Sequence, residues 1–172
     1  NMIVAKDLGG QLFLREPHGK VLRVLEQAEM LCQRYHVVVA NPPYFGPKQM
    51  GANLKTFAKA YFPNAKTDLY AMFIERAFSF AQNDGHCALV TMQSWMFLQS
   101  FEAFRVEFLS TKTILSMAHL GARAFDTISG EIVSVTAFCC VNAYLKGYQS
   151  TFFRLIDGNE AVKDEGLRQQ RH

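Results

Sequence analysis

The stretch YHVVVANPPYFGP, Tyr35–Pro47, decides the fold because a buried strand ends abruptly within it. Its consecutive valines carry no polar alternation, which predicts that the strand Val37–Ala40 is buried on both faces, as in a parallel sheet covered by helices. Two adjacent prolines follow, and a proline cannot donate a hydrogen bond to a strand ladder. The pattern therefore predicts a strand that stops at Ala40 and presents Asn-Pro-Pro-Tyr, residues 41–44, at its carboxyl end.

Patterns typical of helices and of strands alternate along the rest of the chain. One-sided apolar spacing predicts three helices. The first spans Val21–Tyr35 and the third spans Ser100–Thr111. The second begins at a cap, either Thr67 or Asp68, and ends at Asn83-Asp84-Gly85. Phe73 and Leu109 are predicted to lie on the buried sides of the last two helices. Apolar runs predict further strands at Cys87–Met92, Ile114–Leu120, Ile132–Ala143 and, as an edge, Thr151–Ile156. Phe45–Lys66 is predicted to be a long loop, and the polar tail from Asp157 to fray.

This alternation predicts an α/β protein with a mostly parallel sheet. The connection between the last two strands is too short for a helical crossover, so that pair is predicted to be antiparallel. A chain of 172 residues with 49% apolar content suits one domain, and its net charge of +3 does not by itself indicate a nucleic-acid partner.

The chain shows no sign of membrane or metal binding. No apolar run approaches the roughly 20 residues of a membrane span, and the N-terminus lacks the layout of a signal peptide. We therefore expect a cytoplasmic protein without a membrane partner. The five histidines lack metal-ligand spacing, so no metal site is predicted.

The tetrapeptide at residues 41–44 combines groups suited to binding a planar amine. Ligands of open α/β sheets bind beyond the carboxyl ends of strands. A residue that precedes proline is held in an extended conformation, which fixes the direction of the Asn41 side chain. Its oxygen beside an outward proline carbonyl would form a pair of acceptors for two amine hydrogens, and the Tyr44 ring offers a stacking surface. The alternative is a purely structural turn.

Asn-Pro-Pro-Tyr after a buried strand resembles the catalytic motif of adenine-specific, S-adenosylmethionine-dependent DNA methyltransferases. Lys66–Trp95 (KTDLYAMFIERAFSFAQNDGHCALVTMQSW) and Leu120–Ala143 (LGARAFDTISGEIVSVTAFCCVNA) resemble elements of large restriction-modification enzymes, and among these the PglX-type methyltransferases of bacteriophage-exclusion systems. The resemblance, over about residues 3–145, implies a partial Rossmann-like sheet with helices on both faces. Residues 3–156 would be the C-terminal part of a catalytic domain, and 157–172 a polar tail or the start of the next segment.

The resemblance implies methyl transfer to the exocyclic amine of adenine in double-stranded DNA, in phage defence or restriction-modification. The amine would donate to the Asn41 side chain and the Pro42 carbonyl, while Tyr44 stacks on an adenine flipped from the duplex. The catalytic set is therefore predicted to be Asn41, Pro42, Pro43 and Tyr44. Substrate-binding residues are predicted to be Tyr44, Phe45, Lys48 and Phe125.

The donor-binding half of the family's site is absent from the sequence. The family binds its methyl donor with a glycine-rich loop, whereas this chain has no Gly-x-Gly, and Val4 stands where the family usually has Asp. Asn41 would then lie at the edge of the donor site, with the remainder upstream in a longer parent protein. This fragment alone is expected to be inactive and to bind no S-adenosylmethionine.

Loss of the donor half would also make Val37–Ala40 an edge strand with unpaired amides, which predicts either self-association or shielding of that edge by the chain's own N-terminal segment Ile3–Leu14. Other subunits of a defence system are further expected partners. Lysines at positions 48, 55, 59 and 66, interleaved with aromatic residues, indicate either phosphate contacts or a solvated basic loop. Two alternative functions remain: a non-catalytic DNA-binding or scaffold module on the same fold, and a release-factor glutamine methyltransferase, which shares the tetrapeptide.

Overall fold

A computed structural model describes residues 12–122 and 133–169, and side chains from residue 17 onward. The chain divides into two compact units, Asn1–Arg34 and Tyr35–His172, which are described separately. The described part of the first unit, from residue 12 onward, contains the helix α1, Leu12–Cys32. The helix starts before the predicted Val21. The prediction missed its first part because that part contains Pro17 and a glycine, and both residue types are poor helix formers.

Among its described residues, the second unit contains five strands and four further helices. The strands are β1 (Tyr35–Ala40), β2 (Ala81–Met92), β3 (Thr113–Gly121), β4 (Val135–Val141) and β5 (Thr151–Arg154). The helices are α2 (Ala52–Tyr61), α3 (Leu69–Phe80), α4 (Glu102–Thr111) and α5 (Glu160–Gln169), with short 3-10 turns at Gln93–Met96 and Gln99–Phe101. Among the described residues, no helix is both long and apolar enough to cross a membrane.

The strands form one sheet in the order β1-β2-β4-β3-β5. β1 pairs parallel to β2 and β3 pairs parallel to β5, whereas β4 runs antiparallel to both of its neighbours. The predicted α/β class with a mostly parallel sheet and a reversed last core strand is confirmed. β5 lies at one edge and β1 at the other, so the predicted edge strands are present. Self-association through β1 stays a prediction.

One face of the sheet carries the hydrophobic core. Buried residues of β2, β3 and β4 pack there against aromatic side chains from α3, α4 and the turn after β2. Trp95 lies at the centre, with ring centroids 5.6 Å from Phe108 and 5.3 Å from Phe138. Each buried aromatic side chain removes a large apolar area from water, so this cluster holds the helices against the sheet.

The other face is open at β1, and the prediction that both faces of this strand are buried was wrong. Val37 and Val39 are 59% and 76% exposed, whereas Val38 and Ala40 pack partly against the core. The open face lines a shallow cavity of about 350 Å³, whose lining includes Leu167 of α5. A run of valines indicates that a strand is apolar enough to be buried on both faces. It does not show whether another helix or strand packs against each face.

Two predictions about irregular segments were also wrong. The predicted loop Phe45–Lys66 contains helix α2, whose Ala58 is buried. Its sequence is rich in good helix formers, but the prolines that precede and follow it made the segment resemble a loop. The tail predicted to fray contains α5, because the buried Lys163 ammonium donates to the backbone carbonyls of Leu120 and Ala122.

The junction between α3 and β2 differs from the predicted stop at Asn83-Asp84-Gly85. The helix ends earlier, at Phe80, and the tripeptide lies within β2, where Asp84 has a φ of 61°. The Asn142 side chain holds the junction by donating to the carbonyls of Phe78, Ala81 and Gln82.

Two predicted core positions are also exposed. Phe73 of α3 is 39% exposed and Leu109 of α4 is 51% exposed, so their predicted burial was wrong. The buried side of α3 is formed instead by Tyr70, Ala71, Met72, Ile74, Ala77 and Phe78. The apolar spacing identified both helices correctly but assigned these two side chains to the wrong face.

Candidate active site

The tetrapeptide begins where β1 ends, at the carboxyl edge of the sheet. Asn41 and Pro43 are exposed, Pro42 is buried, and Tyr44 is half-buried. The buried Pro42 fixes the turn, and neither proline has an N–H that could compete for the Asn41 oxygen. The loop therefore presents Asn41 to solvent directly beside a rigid backbone.

The Tyr44 ring is held by a buried second tyrosine. Its centroid lies 6.2 Å from that of Tyr70, and the two rings are nearly perpendicular, at 89°. Tyr70 is fully buried, and its hydroxyl lies 2.7 Å from Oγ of Ser94, in the turn after β2. Burial raises the pKa of Tyr44, so its phenol is neutral at pH 7. A neutral aromatic ring in a fixed orientation can serve as a stacking surface.

Asp68 connects the loop to the start of α3. The Phe45 N–H donates to its Oδ1 at 3.0 Å, and the Tyr70 N–H donates to the same oxygen at 3.3 Å. The Leu69 N–H donates in turn to the Phe45 carbonyl, at 3.1 Å. Sequence analysis predicted a helix cap at Thr67 or Asp68, and the cap is Asp68; its bond to Phe45 was missed because 23 residues separate the two.

The turn after β2 stands beside this loop and is braced from two sides. The Trp95 indole N–H donates to Oγ1 of Thr91 at 3.2 Å, inside the core. Arg105 of α4 donates to the carbonyls of Trp95 and Leu98, at 2.8 and 2.7 Å. Ser94, the hydrogen-bond partner of Tyr70, is therefore carried by a well-supported turn.

A second polar pair lies further along the same edge. Nε2 of His119, in β3, hydrogen bonds to Oε1 of Gln93, and the exposed Phe97 ring lies 5.7 Å from the imidazole. Burial, and then the charge of Arg154, lowers the pKa of His119, which favours the neutral imidazole. His119 and Thr91 both pair with Thr136, so β2 and β4 lie between His119 and β1, a distance of roughly 14 Å, whereas Gln93 directly follows β2.

The remaining predicted substrate contacts are spread around the loop. Lys48 is exposed in the turn that follows Phe45, and Phe45 packs partly against the core. Phe125 lies outside the described residues. Lys55 and Lys59 are exposed on α2, one helical turn apart. Within the described ranges, no three His, Cys, Asp or Glu side chains come together in a way that could hold a metal.

The described residues lack most of the groups that the resemblance assigns to the binding of S-adenosylmethionine. Asn41 stands at the carboxyl end of β1, but β1 is an edge strand, with no described strand on its outer side. No glycine-rich loop follows a strand beside Asn41 in the part of the chain that the structure describes. These residues do not form a cradle for the donor by themselves.

A family model described as the Eco57I restriction-modification methylase matches residues 20–125, which include the tetrapeptide and β2. The chain belongs to this family. The match spans the loop after β1 together with the Asp68 and Ser94 segments that support it. The predicted resemblance is thereby confirmed.

Two relatives are similar over most of the chain. The adenine-specific methyltransferase BrxX of Escherichia coli O9:H4 (strain HS) is 49% identical over 158 residues, which is 92% of this chain. The adenine-specific methyltransferase PglX of Lacticaseibacillus casei (strain Zhang) is 38% identical over 170 residues, or 96% of this chain. The chain spans only 13% and 14% of the lengths of these two relatives.

Solved structures share the fold. The DrdV–DNA complex matches with a TM-score of 0.63 and 20% identity, over 84% of this chain and 17% of that one. A class I S-adenosylmethionine-dependent methyltransferase from Listeria monocytogenes matches with a TM-score of 0.56 and 13% identity, over 81% of this chain and 42% of that one. The sheet is therefore that of the methyltransferase fold.

Proposed function

We propose that a methyltransferase containing this chain transfers a methyl group from S-adenosylmethionine to the exocyclic amine of adenine in DNA. The observation that carries the proposal is the Asn-Pro-Pro-Tyr loop at the carboxyl end of β1, with Asn41 exposed and the Tyr44 ring held against Tyr70. The names of both relatives, which specify adenine, support the base. The description of the family as a restriction-modification methylase supports DNA as the target.

Asn41 and Pro42 would hold the amine and make its nitrogen reactive. One amine hydrogen would donate to the Asn41 side-chain oxygen and the other to the Pro42 carbonyl. Both bonds favour a nitrogen whose lone pair is withdrawn from the purine ring and is free to attack. Acceptors fixed before the reaction stabilise the positive charge that develops on that nitrogen, and they do so without reorganisation.

Tyr44 would hold the plane of the adenine. A base inside a duplex cannot reach an enzyme's reactive groups, so the target nucleotide must rotate out of the stack. The exposed part of the Tyr44 ring would then stack on it, while Tyr70 prevents the ring from turning away. We assign supporting substrate contacts to Phe45, Lys48 and Phe125, with Lys48 on a phosphate.

When bound, S-adenosylmethionine would supply an electrophilic methyl group and leave as S-adenosylhomocysteine, and the methylated amine would release one proton to solvent. We propose that Asn41 contacts the edge of the donor and that segments outside this chain bind the rest of it. On this proposal residues 3–156 are the adenine-binding part of a larger catalytic domain, inactive alone. The parent enzyme would act in the cytoplasm, in phage defence or restriction-modification, together with other subunits.

Product analysis tests the proposal. The full-length enzyme would be incubated with DNA and isotopically labelled S-adenosylmethionine, and the DNA would be hydrolysed to nucleosides. We expect the label in N6-methyladenine, and none after Asn41→Ala. Asn83→Ala is the matched control, since Asn83 is exposed near the opposite end of the sheet. Label in another base would contradict the proposal. A parallel incubation with a release factor in place of DNA that labels a glutamine would favour the release-factor alternative.

A further inference from the structure

We propose that Asp68 is a positioning residue for the target adenine, because it fixes the main chain that follows Tyr44. The inference rests on the proposed function, in which Tyr44 stacks on the base. Asp68 would not touch the substrate itself. It would act through the hydrogen bond that the Phe45 N–H donates to its carboxylate, at 3.0 Å.

The loop has few ways to hold itself in place. Pro42 and Pro43 have no N–H, so neither of them can donate a hydrogen bond. Phe45 is tied at both backbone groups to the start of α3, through Asp68 Oδ1 at its N–H and Leu69 at its carbonyl. Loss of the first bond would leave the backbone beside Tyr44 held at one side only.

The same helix end also supports the Tyr44 ring. Tyr70 lies two residues after Asp68, packs edge-on against Tyr44, and donates its own N–H to the Asp68 carboxylate at 3.3 Å. One carboxylate oxygen therefore sets both the backbone after Tyr44 and the turn that carries the supporting ring. A carboxylate suits this place because the N-terminus of a helix favours negative charge.

Capping of α3 alone would explain a carboxylate at residue 68 equally well, so the two roles must be separated. Asp68→Ser keeps a side-chain oxygen that can cap the Tyr70 N–H, since serine is about as good a helix cap as aspartate. The serine oxygen is one bond closer to the backbone than Oδ1 of aspartate, so it ends about 1.5 Å short of the position from which Oδ1 accepts from the Phe45 N–H. Asp68→Asn keeps an acceptor at the original place.

The test uses the full-length enzyme and compares four proteins: wild type, Asp68→Asn, Asp68→Ser and the control Asp164→Ser. Asp164 is exposed on α5 and pairs with Arg168 at 2.9 Å. The measurements are kcat and KM for DNA methylation, the midpoint of thermal unfolding, and amide hydrogen exchange at Phe45. Phe45 exchange reports the contact directly and does not depend on activity.

We expect Asp68→Ser to lower the unfolding midpoint by about 2–4 °C, the effect of one lost hydrogen bond, to exchange faster at Phe45, and to lose about tenfold in kcat at a temperature where it is fully folded, with KM for DNA unchanged. Asp68→Asn should restore slow exchange and retain kcat within about threefold, while Asp164→Ser should match the wild type. A serine variant with wild-type kcat, or one whose kcat falls only as its stability falls, would overturn the inference. A wild-type enzyme that leaves adenine unmethylated would instead overturn the proposed function, and the positioning role with it.

Discussion

Replacing Tyr70 by Phe removes a single oxygen beside the candidate site and leaves the ring that packs against Tyr44. The oxygen lies 2.7 Å from Oγ of Ser94, and the Tyr70 side chain is fully buried. Ser94 is only half-buried, so after the substitution its hydroxyl can turn to water. The cost should therefore be that of one hydrogen bond, about 1 kcal/mol. For a chain of this length that corresponds to a fall of about 2–4 °C in the unfolding midpoint.

Ser94→Ala should cost more than Tyr70→Phe, because the buried tyrosine hydroxyl loses its side-chain partner and keeps only the hydrogen bond to the Trp95 backbone. The loss should be roughly 1–3 kcal/mol. Burial raises the pKa of Tyr70, so the phenol cannot relieve the loss by ionising near neutral pH.

A double-mutant cycle measures the bond between the two side chains. Urea unfolding of the wild type, both single variants and the double variant gives four free energies of unfolding. We expect a coupling energy of about 1 kcal/mol between Tyr70 and Ser94. Additivity to within about 0.3 kcal/mol would refute the reasoning, since it would mean that the hydroxyls do not interact in solution.

Three further outcomes are expected. Tyr44→Ala should lower methylation by about tenfold or more through loss of stacking, whereas Tyr44→Phe keeps the ring and should lose much less; equal losses would contradict a stacking role. Burial and the nearby Glu107 raise the pKa of Glu75 to about 7. The folded state therefore favours the protonated form of Glu75, and it loses stability as the pH rises from about 4.5 through 7. Glu75→Gln should raise the unfolding midpoint at pH 8 but not at pH 4, which thermal melts would measure. Asn142→Ala should cost about 1–3 kcal/mol in urea unfolding, because the Asn142 amide no longer donates to the backbone at the junction of α3 and β2, and a neutral result would contradict the clamp.

The features that sequence analysis predicted correctly rest on local rules. Two prolines after a valine run end a strand wherever they occur, and an aspartate before an apolar helical segment caps the helix. Both rules held, at Pro42 and at Asp68. The reversed β4 followed from a short connection, which is also a local property.

The features that it missed depend on contacts across the chain. The open face of Val39 could not be predicted, because a side chain's burial depends on which other element covers it. The bond from Phe45 to Asp68 and the pair formed by Tyr70 and Ser94 join residues 23 and 24 positions apart. The family resemblance singled out the segments that carry Asp68, Tyr70 and Ser94, but it gave none of them a role in supporting Tyr44.

The most direct test of the central claim is the single-turnover rate of methyl transfer in the full-length enzyme carrying Asn41→Ala. DNA affinity is measured in parallel, and Asn83→Ala again serves as the control. Asn41 would accept an amine hydrogen as charge develops, so the rate should fall about 100-fold or more while the Kd for DNA changes little. A rate within about threefold of the wild type would contradict the claim that the end of β1 is where the amine of adenine is held.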